Sequence, residues 1–257
     1  MPELSLIIPI RNEAPNINGL AEKISQALKG LNYEVIWVND GSTDQSSLMV
    51  RNLPYSQTRL IEFERNKGQT AAIEAGILNA RGNYIAMLDG DGQNDPFDLP
   101  PMFFQVREKG FDMVTGIRVK RKDPFMRRFV SLAANRIIRL ITHTGFRDLG
   151  CSVRVLKKEW ALQLPFQKGM HRYFNVIMAR NGARILQVPV NHFPRQAGRS
   201  KYGMGRIFPV ISDLISIRFS GEKYRMKIEV KQETSINNGR KAALFPSGEP
   251  ETKVPML

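Results

Sequence analysis

The chain has 257 residues, enough for one large α/β domain, and its 42% hydrophobic and 24% charged contents are ordinary for a globular protein. Lysine and arginine number 38 against 24 acidic residues, and this net charge of +14 favours a polyanionic partner: nucleic acid, an anionic membrane face or a phosphate-bearing substrate. The single cysteine, Cys151, excludes a disulfide within the chain and a Cys-ligated zinc site, and it fits a reducing cytosol.

The first half of the chain alternates between short apolar runs and amphipathic segments. The apolar runs predict five strands, at Leu4–Ile10, Tyr33–Val38, Arg59–Phe63, Tyr84–Leu88 and Met113–Thr115. Helical spacing predicts helices at 16–28, 69–80 and 99–109, and the turn at 40–44 opens a further helix. This alternation with short connections indicates a parallel, doubly wound sheet.

Polar residues follow the predicted strands where each strand ends. They are Asn12, Glu13, Asp40, Asn66, Asp89 and Asp91. Because ligands of parallel α/β sheets bind beyond the carboxyl ends of the strands, these residues predict a site rather than scattered surface polarity.

The segment Asp89–Gln93 reads Asp-Gly-Asp-Gly-Gln and follows the fourth predicted strand. Two carboxylates two residues apart can place oxygens around one hard cation, and Mg²⁺ or Mn²⁺ holds a nucleotide diphosphate through such oxygens. The amide of Gln93 offers a further ligand. Taken alone the pattern is a weak signal, since acidic glycine-rich turns are common.

Three further motifs follow the first three strands in order, at Pro9–Glu13, Val38–Asp44 and Asn66–Gln69. With the acidic motif, this ordered set resembles family 2 glycosyltransferases of the GT-A fold, over roughly residues 4–205. The resemblance implies an α/β GT-A nucleotide-diphospho-sugar transferase fold, with a Rossmann-like, mostly parallel sheet and flanking helices.

The same resemblance implies roles for the motif residues. Asp40 reads the base, and Asp89 contacts the ribose or the metal. The metal, Mg²⁺ or Mn²⁺, is held by Asp89, Asp91 and Gln93. The residues implied to bind the nucleotide of the donor are Pro9, Arg11, Asn12, Glu13, Asp40, Asp44, Lys67, Gly68 and Asp89.

The second half is strongly basic, with twelve basic and four acidic residues at 107–154. Its motifs at 116–118, 127–131, 148–154 and 195–201 look like those of dolichol- and polyprenyl-phosphate sugar transferases, of the kind typified by dolichol-phosphate mannosyltransferase. By this resemblance the lipid phosphate is held by Arg118, Arg127 and Ser131. Arg195 and Lys201, with Ser200 in the same motif, lie near the donor and acceptor phosphates.

A phosphate acceptor simplifies the chemistry, because a phosphate monoester has a second pKa of about 6 and needs no general base at neutral pH. The implied reaction is one inverting displacement at the anomeric carbon. Asp148 is then a structural partner of an arginine, whereas it is a candidate base if the acceptor is a hydroxyl.

Two alternatives stay open: a family 2 transferase acting on a sugar or lipid hydroxyl, and a basic nucleic-acid-binding protein. The second leaves the nucleotide-sugar motifs unexplained, so we expect no nucleic-acid partner. No Gly-x-Gly-x-x-Gly follows the first strand, which excludes a dinucleotide-dependent oxidoreductase. The sequence does not name the sugar, and UDP and GDP donors both remain open.

The predicted organisation is a nucleotide-sugar-binding half at 1–115, an acceptor-binding half of the same domain at 116–205, an amphipathic apolar segment at 206–219 and a poorly ordered polar tail at 220–257. We expect no signal peptide and no transmembrane helix. The amphipathic stretches near 125–141 and 207–219 predict peripheral contact with the inner, cytoplasmic face of a membrane, although the first also suits a helix packed on the sheet.

Overall fold

The computed structural model describes residues 1–119, 145–167, 169–194 and 232–235. Several predictions lie outside the described residues. They concern Arg127, Ser131, Arg195, Ser200, Lys201, the stretch 125–141, the segment 206–219 and, apart from 232–235, the tail 220–257.

Every strand predicted from the first half of the sequence is present. The described residues form eight strands: β1 (Leu4–Ile10), β2 (Tyr33–Asn39), β3 (Thr58–Glu62), β4 (Tyr84–Met87), β5 (Met113–Arg118), β6 (Arg154–Lys157), β7 (Ile185–Val190) and β8 (Gln232–Ser235). The helices are α1 (Ala14–Ala27), α2 (Ser46–Arg51), α3 (Gln69–Asn79), α4 (Leu99–Lys109), α5 (Lys158–Ala161) and α6 (Phe174–Arg180), with 3₁₀ turns at Pro96–Asp98 and Met170–Tyr173.

The strands form one mixed sheet in the order β7-β5-β6-β4-β1-β2-β3-β8. β1 pairs in parallel with β2 and β4, β2 pairs in parallel with β3, and β5 pairs in parallel with β7. The predicted parallel arrangement is therefore right for most of the sheet, but β6 runs antiparallel to both β4 and β5. The chain leaves β5 at the carboxyl edge and re-enters the sheet there at Arg154, so β6 has to run back toward the opposite edge.

Alternation along the strands divides the core between the two faces of the sheet. Ile7 of β1 packs with α3, α5 and α6 on one face, whereas Leu6 and Ile8 pack with α1 and α4 on the other. The flanking helices thus cover both faces, and the ligand edge of the sheet lies between them. Among the helices of the described residues, none is long and apolar enough to cross a bilayer.

Candidate active site

The loop after β1 is bonded to the loop after β2 through Asn12. Its backbone N–H donates to Ser42 Oγ at 2.9 Å, and its Oδ1 accepts from the Thr43 N–H at 2.8 Å. Asn12 adopts φ of 53°, a left-handed conformation that asparagine tolerates better than most residues. The predicted nucleotide-binding residue Asn12 therefore connects two loops that the sequence separates by thirty residues.

Asp44 closes the same pair of loops. Its Oδ2 accepts from the Ala14 N–H at 3.2 Å, and its Oδ1 accepts from the Ser46 N–H and hydroxyl at 3.0 and 2.5 Å. Burial alone would raise the pKa of Asp44, but these hydrogen bonds outweigh it and lower the pKa. Ser46 Oγ also accepts from the Glu13 N–H, so the predicted residues Glu13 and Asp44 lie side by side.

Asp40 joins the end of β2 to the start of α3. Its buried carboxylate accepts from the Lys67 N–H at 2.6 Å and from the Gly68 N–H at 3.0 Å, which brings three predicted donor-site residues together. Gly41, at φ of 62°, lies so close to the backbone of 65–66 that a Cβ there would be 2.6 Å from it.

The acidic motif lies just beyond β4, at the centre of the sheet. Asp89 Oδ1 accepts from Gln69 Nε2 at 2.7 Å, and its carboxylate is also hydrogen-bonded to Ser152. Asp91 Oδ1 accepts from the backbone N–H of Gln93 at 3.1 Å. Burial, and then the charge of Asp91, raise the pKa of Asp89. Two partly buried carboxylates that repel one another are stabilised by a cation between them.

The oxygens of Asp89, Asp91 and Gln93 fit one divalent cation whose remaining ligands come from water and the substrate. The Gln93 amide nitrogen donates to the Phe193 carbonyl at 3.2 Å, which leaves the amide oxygen for a cation. In the part of the chain that the structure describes, no group of three or more His, Cys, Asp or Glu side chains converges on a metal position. Mg²⁺ commonly takes only one or two carboxylates and completes its shell with water and substrate phosphates, so two carboxylates and an amide suffice.

A cavity of about 420 Å³ opens beside this motif. Of the predicted site residues, it brings together Pro9, Asp89, Asp91, Gln93 and Arg118. The other predicted residues within the described ranges do not line it. Those on the adjoining loops are Arg11, Asn12, Glu13, Asp40, Asp44, Lys67 and Gly68, and Asp148 lies behind Arg118.

Arg118 and Asp148 form a bidentate ion pair at the end of β5. Arg118 Nε and Nη2 each donate to a different oxygen of Asp148 at 2.7 Å. The same carboxylate accepts from the backbone N–H groups of Arg118 and Gly150, at 3.2 Å each. Burial alone would lower the pKa of Arg118, but Asp148 outweighs it and raises the pKa. Asp148 thus contacts an arginine in the structure, and its role in the reaction stays a prediction.

Sequence reasoning missed Arg154 as a site residue, although the motif at 148–154 ends on it. Its guanidinium is buried, lines the cavity and donates to the backbone carbonyls of His171 and Leu149. Its Nε has no hydrogen-bond partner among the described residues. Burial lowers the pKa of Arg154. The signal for this residue was its place at the start of β6, which the sequence did not predict as a strand.

His171 and Arg172 also line the cavity and belong to no motif. His171 Nδ1 lies 2.8 Å from Thr70 Oγ1, and the hydroxyl accepts from the Gly169 N–H at 3.0 Å. Burial, followed by the charges of Arg172 and Arg154, lowers the pKa of His171 to about 3, so its ring is uncharged at neutral pH. A neutral histidine beside two cations was not predictable from a lone His-Arg pair.

The sequence of the chain is similar to those of sugar transferases. The profile of glycosyl transferase family 2 matches residues 5–164. The chain is 39% identical over 225 residues to the dodecaprenyl-phosphate galacturonate synthase of Rhizobium johnstonii, covering 84% of this chain and 67% of the relative. It is 32% identical over 220 residues to an undecaprenyl-phosphate 4-deoxy-4-formamido-L-arabinose transferase of Enterobacter sp., covering 83% and 67%.

Solved structures confirm the predicted GT-A fold. Glucosyl-3-phosphoglycerate synthase of Mycobacterium tuberculosis, in complex with Mn²⁺, uridine diphosphate and phosphoglyceric acid, superposes with a TM-score of 0.69 at 20% identity, covering 86% of this chain and 80% of that one. The same enzyme in complex with Mg²⁺ and uridine diphosphate gives a TM-score of 0.67 at 19% identity, covering 84% and 79%.

Proposed function

We propose that this chain, which belongs to glycosyl transferase family 2, transfers a sugar from a nucleotide-sugar donor, UDP- or GDP-linked, to the phosphate of a polyprenyl phosphate. One observation carries the proposal: a single cavity joins a pair of carboxylates suited to a metal-bound diphosphate to a wall with three arginines. The first feature suits a nucleotide-sugar donor, and the second suits an acceptor or substrate that is itself an anion.

On the donor side, Asp89, Asp91 and Gln93 would hold Mg²⁺ or Mn²⁺ together with oxygens of the diphosphate. The cation, when bound, neutralises charge on the leaving diphosphate. Neighbours in the fold have been crystallised with Mn²⁺ or Mg²⁺ and uridine diphosphate, which supports a divalent cation in this role. The loops that carry Asn12, Asp40 and Asp44 are hydrogen-bonded to one another and would bind the nucleotide.

In the reaction, an oxygen of the acceptor phosphate attacks the anomeric carbon while the bond from that carbon to the diphosphate breaks. The nucleoside diphosphate leaves, and the configuration at the anomeric carbon inverts. The attacking phosphate is already largely ionised at neutral pH, since its second pKa is about 6, so no proton has to be removed. The residues of the chain are needed to align two anions and offset their repulsion.

The ion pair between Arg118 and Asp148 favours a phosphate over a hydroxyl as the acceptor. A hydroxyl needs a general base, and Asp148 was the candidate for that role. In the structure both Asp148 oxygens accept hydrogen bonds from Arg118, so the carboxylate stabilises a cation on the cavity wall instead of facing a substrate proton.

The names of the relatives support the acceptor. Both are named for polyprenyl phosphates, whereas their sugars differ: galacturonate carries a carboxylate, and 4-deoxy-4-formamido-L-arabinose does not. We propose that Arg127 and Ser131 join Arg118 at the lipid phosphate, that Arg195, Ser200 and Lys201 complete the phosphate site, and that catalysis takes place at the cytoplasmic face of the membrane.

The test is transfer of labelled sugar from a panel of UDP- and GDP-sugars to undecaprenyl phosphate, with Mg²⁺ or Mn²⁺. The Asp91→Ala variant is expected to lose about 100-fold or more in rate, because it removes charge stabilisation of the leaving group. The matched control is Asp95→Ala, since Asp95 lies in the same loop but does not line the cavity.

Label in the lipid phase that depends on the cation and on Asp91 supports the whole proposal. If the donor binds but the label stays out of the lipid, the polyprenyl-phosphate acceptor is wrong. If no nucleotide sugar binds, the proposed donor site is wrong.

A further inference from the structure

Three arginines on the cavity wall differ in how their charge is balanced. Arg118 is paired with Asp148 through two hydrogen bonds of 2.7 Å. Arg154 and Arg172 form no ion pair within the described residues. Two cations that form no salt bridge with a described residue therefore border the same cavity, and Arg154 is buried.

Arg154 has donors to spare. A guanidinium carries five N–H donors, and only one bond from each Nη is made, to the carbonyls of His171 and Leu149. Carbonyl oxygens hold the side chain in place, and the charges of Asp89 and Asp148 favour its charged form without forming a salt bridge to it. Because a buried charge with no counter-ion in direct contact is costly, this wall is suited to an anionic ligand group.

His171 precedes Arg172 in the chain, and its backbone carbonyl accepts a hydrogen bond from Arg154. The His171 ring carries no charge at neutral pH. The bond between its ring and Thr70 fixes the segment 169–172 against the start of α3. The residue before Thr70, Gln69, donates to Asp89 at 2.7 Å. The segment that carries Arg172 is thus connected, through two consecutive residues of α3, to the carboxylate proposed to hold the donor's cation.

This connection distinguishes the position from that of the lipid phosphate. Arg118 ends β5, which is separated from β4 by β6, whereas His171 and Arg172 approach the cavity from the side of α3, which packs on β1 and β2. The part of the donor adjacent to its diphosphate is the sugar. We take an anionic group at Arg172 to be a group on the sugar, and the anionic group built into the sugar ring system of a uronic acid is the C6 carboxylate.

We propose that Arg172, supported by the buried charge of Arg154, binds a carboxylate on the donor sugar, so that the substrate is a nucleotide-linked uronic acid. This inference rests on the proposed function for the donor site only. Arg172 determines which sugar is used and leaves the displacement at the anomeric carbon unchanged. An arginine favours this choice because its planar donors match a carboxylate with two parallel hydrogen bonds.

The experiment compares donors that differ only at C6: UDP-galacturonic acid with UDP-galactose, and UDP-glucuronic acid with UDP-glucose. Each donor is assayed with undecaprenyl phosphate and Mg²⁺. If UDP donors do not bind, the corresponding GDP-linked sugars are tested. For the wild type, we expect kcat/KM to be about tenfold or more higher for the preferred uronic acid donor than for its neutral counterpart. Arg172→Gln should remove most of that preference, because it raises KM for the uronic acid donor alone. Arg172→Lys, which keeps the charge but not the planar fork, is expected to fall between them.

The matched control is Arg180→Gln, because Arg180 lies in the next helix, is exposed and does not line the cavity. Equilibrium binding of the four donors in the absence of acceptor gives a second measurement, which tests the sugar preference even if transfer fails. A wild-type preference for neutral sugars, or an Arg172→Gln variant that weakens acidic and neutral donors equally, overturns the inference.

Failure of this inference and failure of the proposed function look different. Transfer of a neutral sugar to the lipid phosphate refutes the carboxylate site and keeps the function. Selective binding of a uronic acid donor that is lost in Arg172→Gln, with no product on undecaprenyl phosphate, keeps the carboxylate site and refutes the acceptor.

Discussion

The side chains of Arg118 and Asp148 retain only 15% and 9% of their exposure, so each is the counter-ion that makes burial of the other tolerable. Removing one partner of such a pair strands a buried charge, and we expect Arg118→Ala and Asp148→Ala each to cost about 3 kcal/mol in the free energy of unfolding. The double variant is expected to cost at least ~1 kcal/mol less than the sum. Urea denaturation measures all three.

The partly exposed Arg107, which pairs with Glu3 and Glu108, serves as the control for this cycle, and Arg107→Ala is expected to leave the free energy of unfolding nearly unchanged. Strictly additive single variants would show that Arg118 and Asp148 do not depend on one another, and Asp148 would again be open to a role as a base.

His171 makes stability depend on pH in one direction. Its folded pKa of about 3 lies below the ordinary value of 6.5, so the unfolded chain binds the proton first as pH falls. The contribution of the neutral His171 ring to the free energy of unfolding is complete above about pH 6.5 and is lost progressively toward pH 3. From pH 7 to pH 5.5 the loss is about 1 kcal/mol. Urea denaturation across this range should show a shallower dependence for His171→Gln, and parallel curves would contradict the buried neutral ring.

Among the loops, the contact between Gly41 and the backbone of 65–66 leaves no room for a side chain, since a Cβ would lie 2.6 Å from Arg65 C and Asn66 N. Gly41→Ala should push the loop after β2 away from the loop after β3 and raise the Kd of the nucleoside diphosphate about tenfold or more. Isothermal titration with UDP or GDP and Mg²⁺ measures the effect.

Gly30 provides the control, because its φ of 87° is also positive but nothing lies within 4 Å of its added Cβ. Gly30→Ala therefore carries the backbone strain without the clash, roughly 1 kcal/mol of stability, and should bind nucleotide normally. Equal losses of affinity in the two variants would mean that strain, rather than the spacing of the loops, controls binding.

The elements that the sequence predicted well are those with a local signal. β1 is a continuous apolar run, and the structure bounds it at the predicted Leu4–Ile10. β6 was missed because it begins and ends on basic residues, Arg154 and Lys157, and its position depends on strands far away in the chain. The acidic motif was predictable from its spacing, whereas the bonds from Asn12 and Asp44 to the neighbouring loop span about thirty residues and leave no local pattern.

At the scale of the whole molecule, the net charge of +14 predicts salt-dependent binding to anionic surfaces. We expect the protein to sediment with vesicles that contain phosphatidylglycerol at low salt and to be released at about 0.5 M NaCl, where charges are screened beyond a few ångströms. Neutral phosphatidylcholine vesicles are the control. Equal binding to both vesicles would show that charge does not bring the protein to the membrane.

The position of β6 also bears on how the protein is made. β5 has no strand partner that precedes it in the chain: its neighbours β6 and β7 both follow it, and only β6 joins it to β4. On the ribosome, the parallel strands β1 to β4 can therefore assemble early, while β5 waits on the order of seconds at the ~5–20 residues per second of translation. During that interval the nascent chain exposes an apolar strand and the open edge of β4, which are the features that chaperones bind and that drive aggregation.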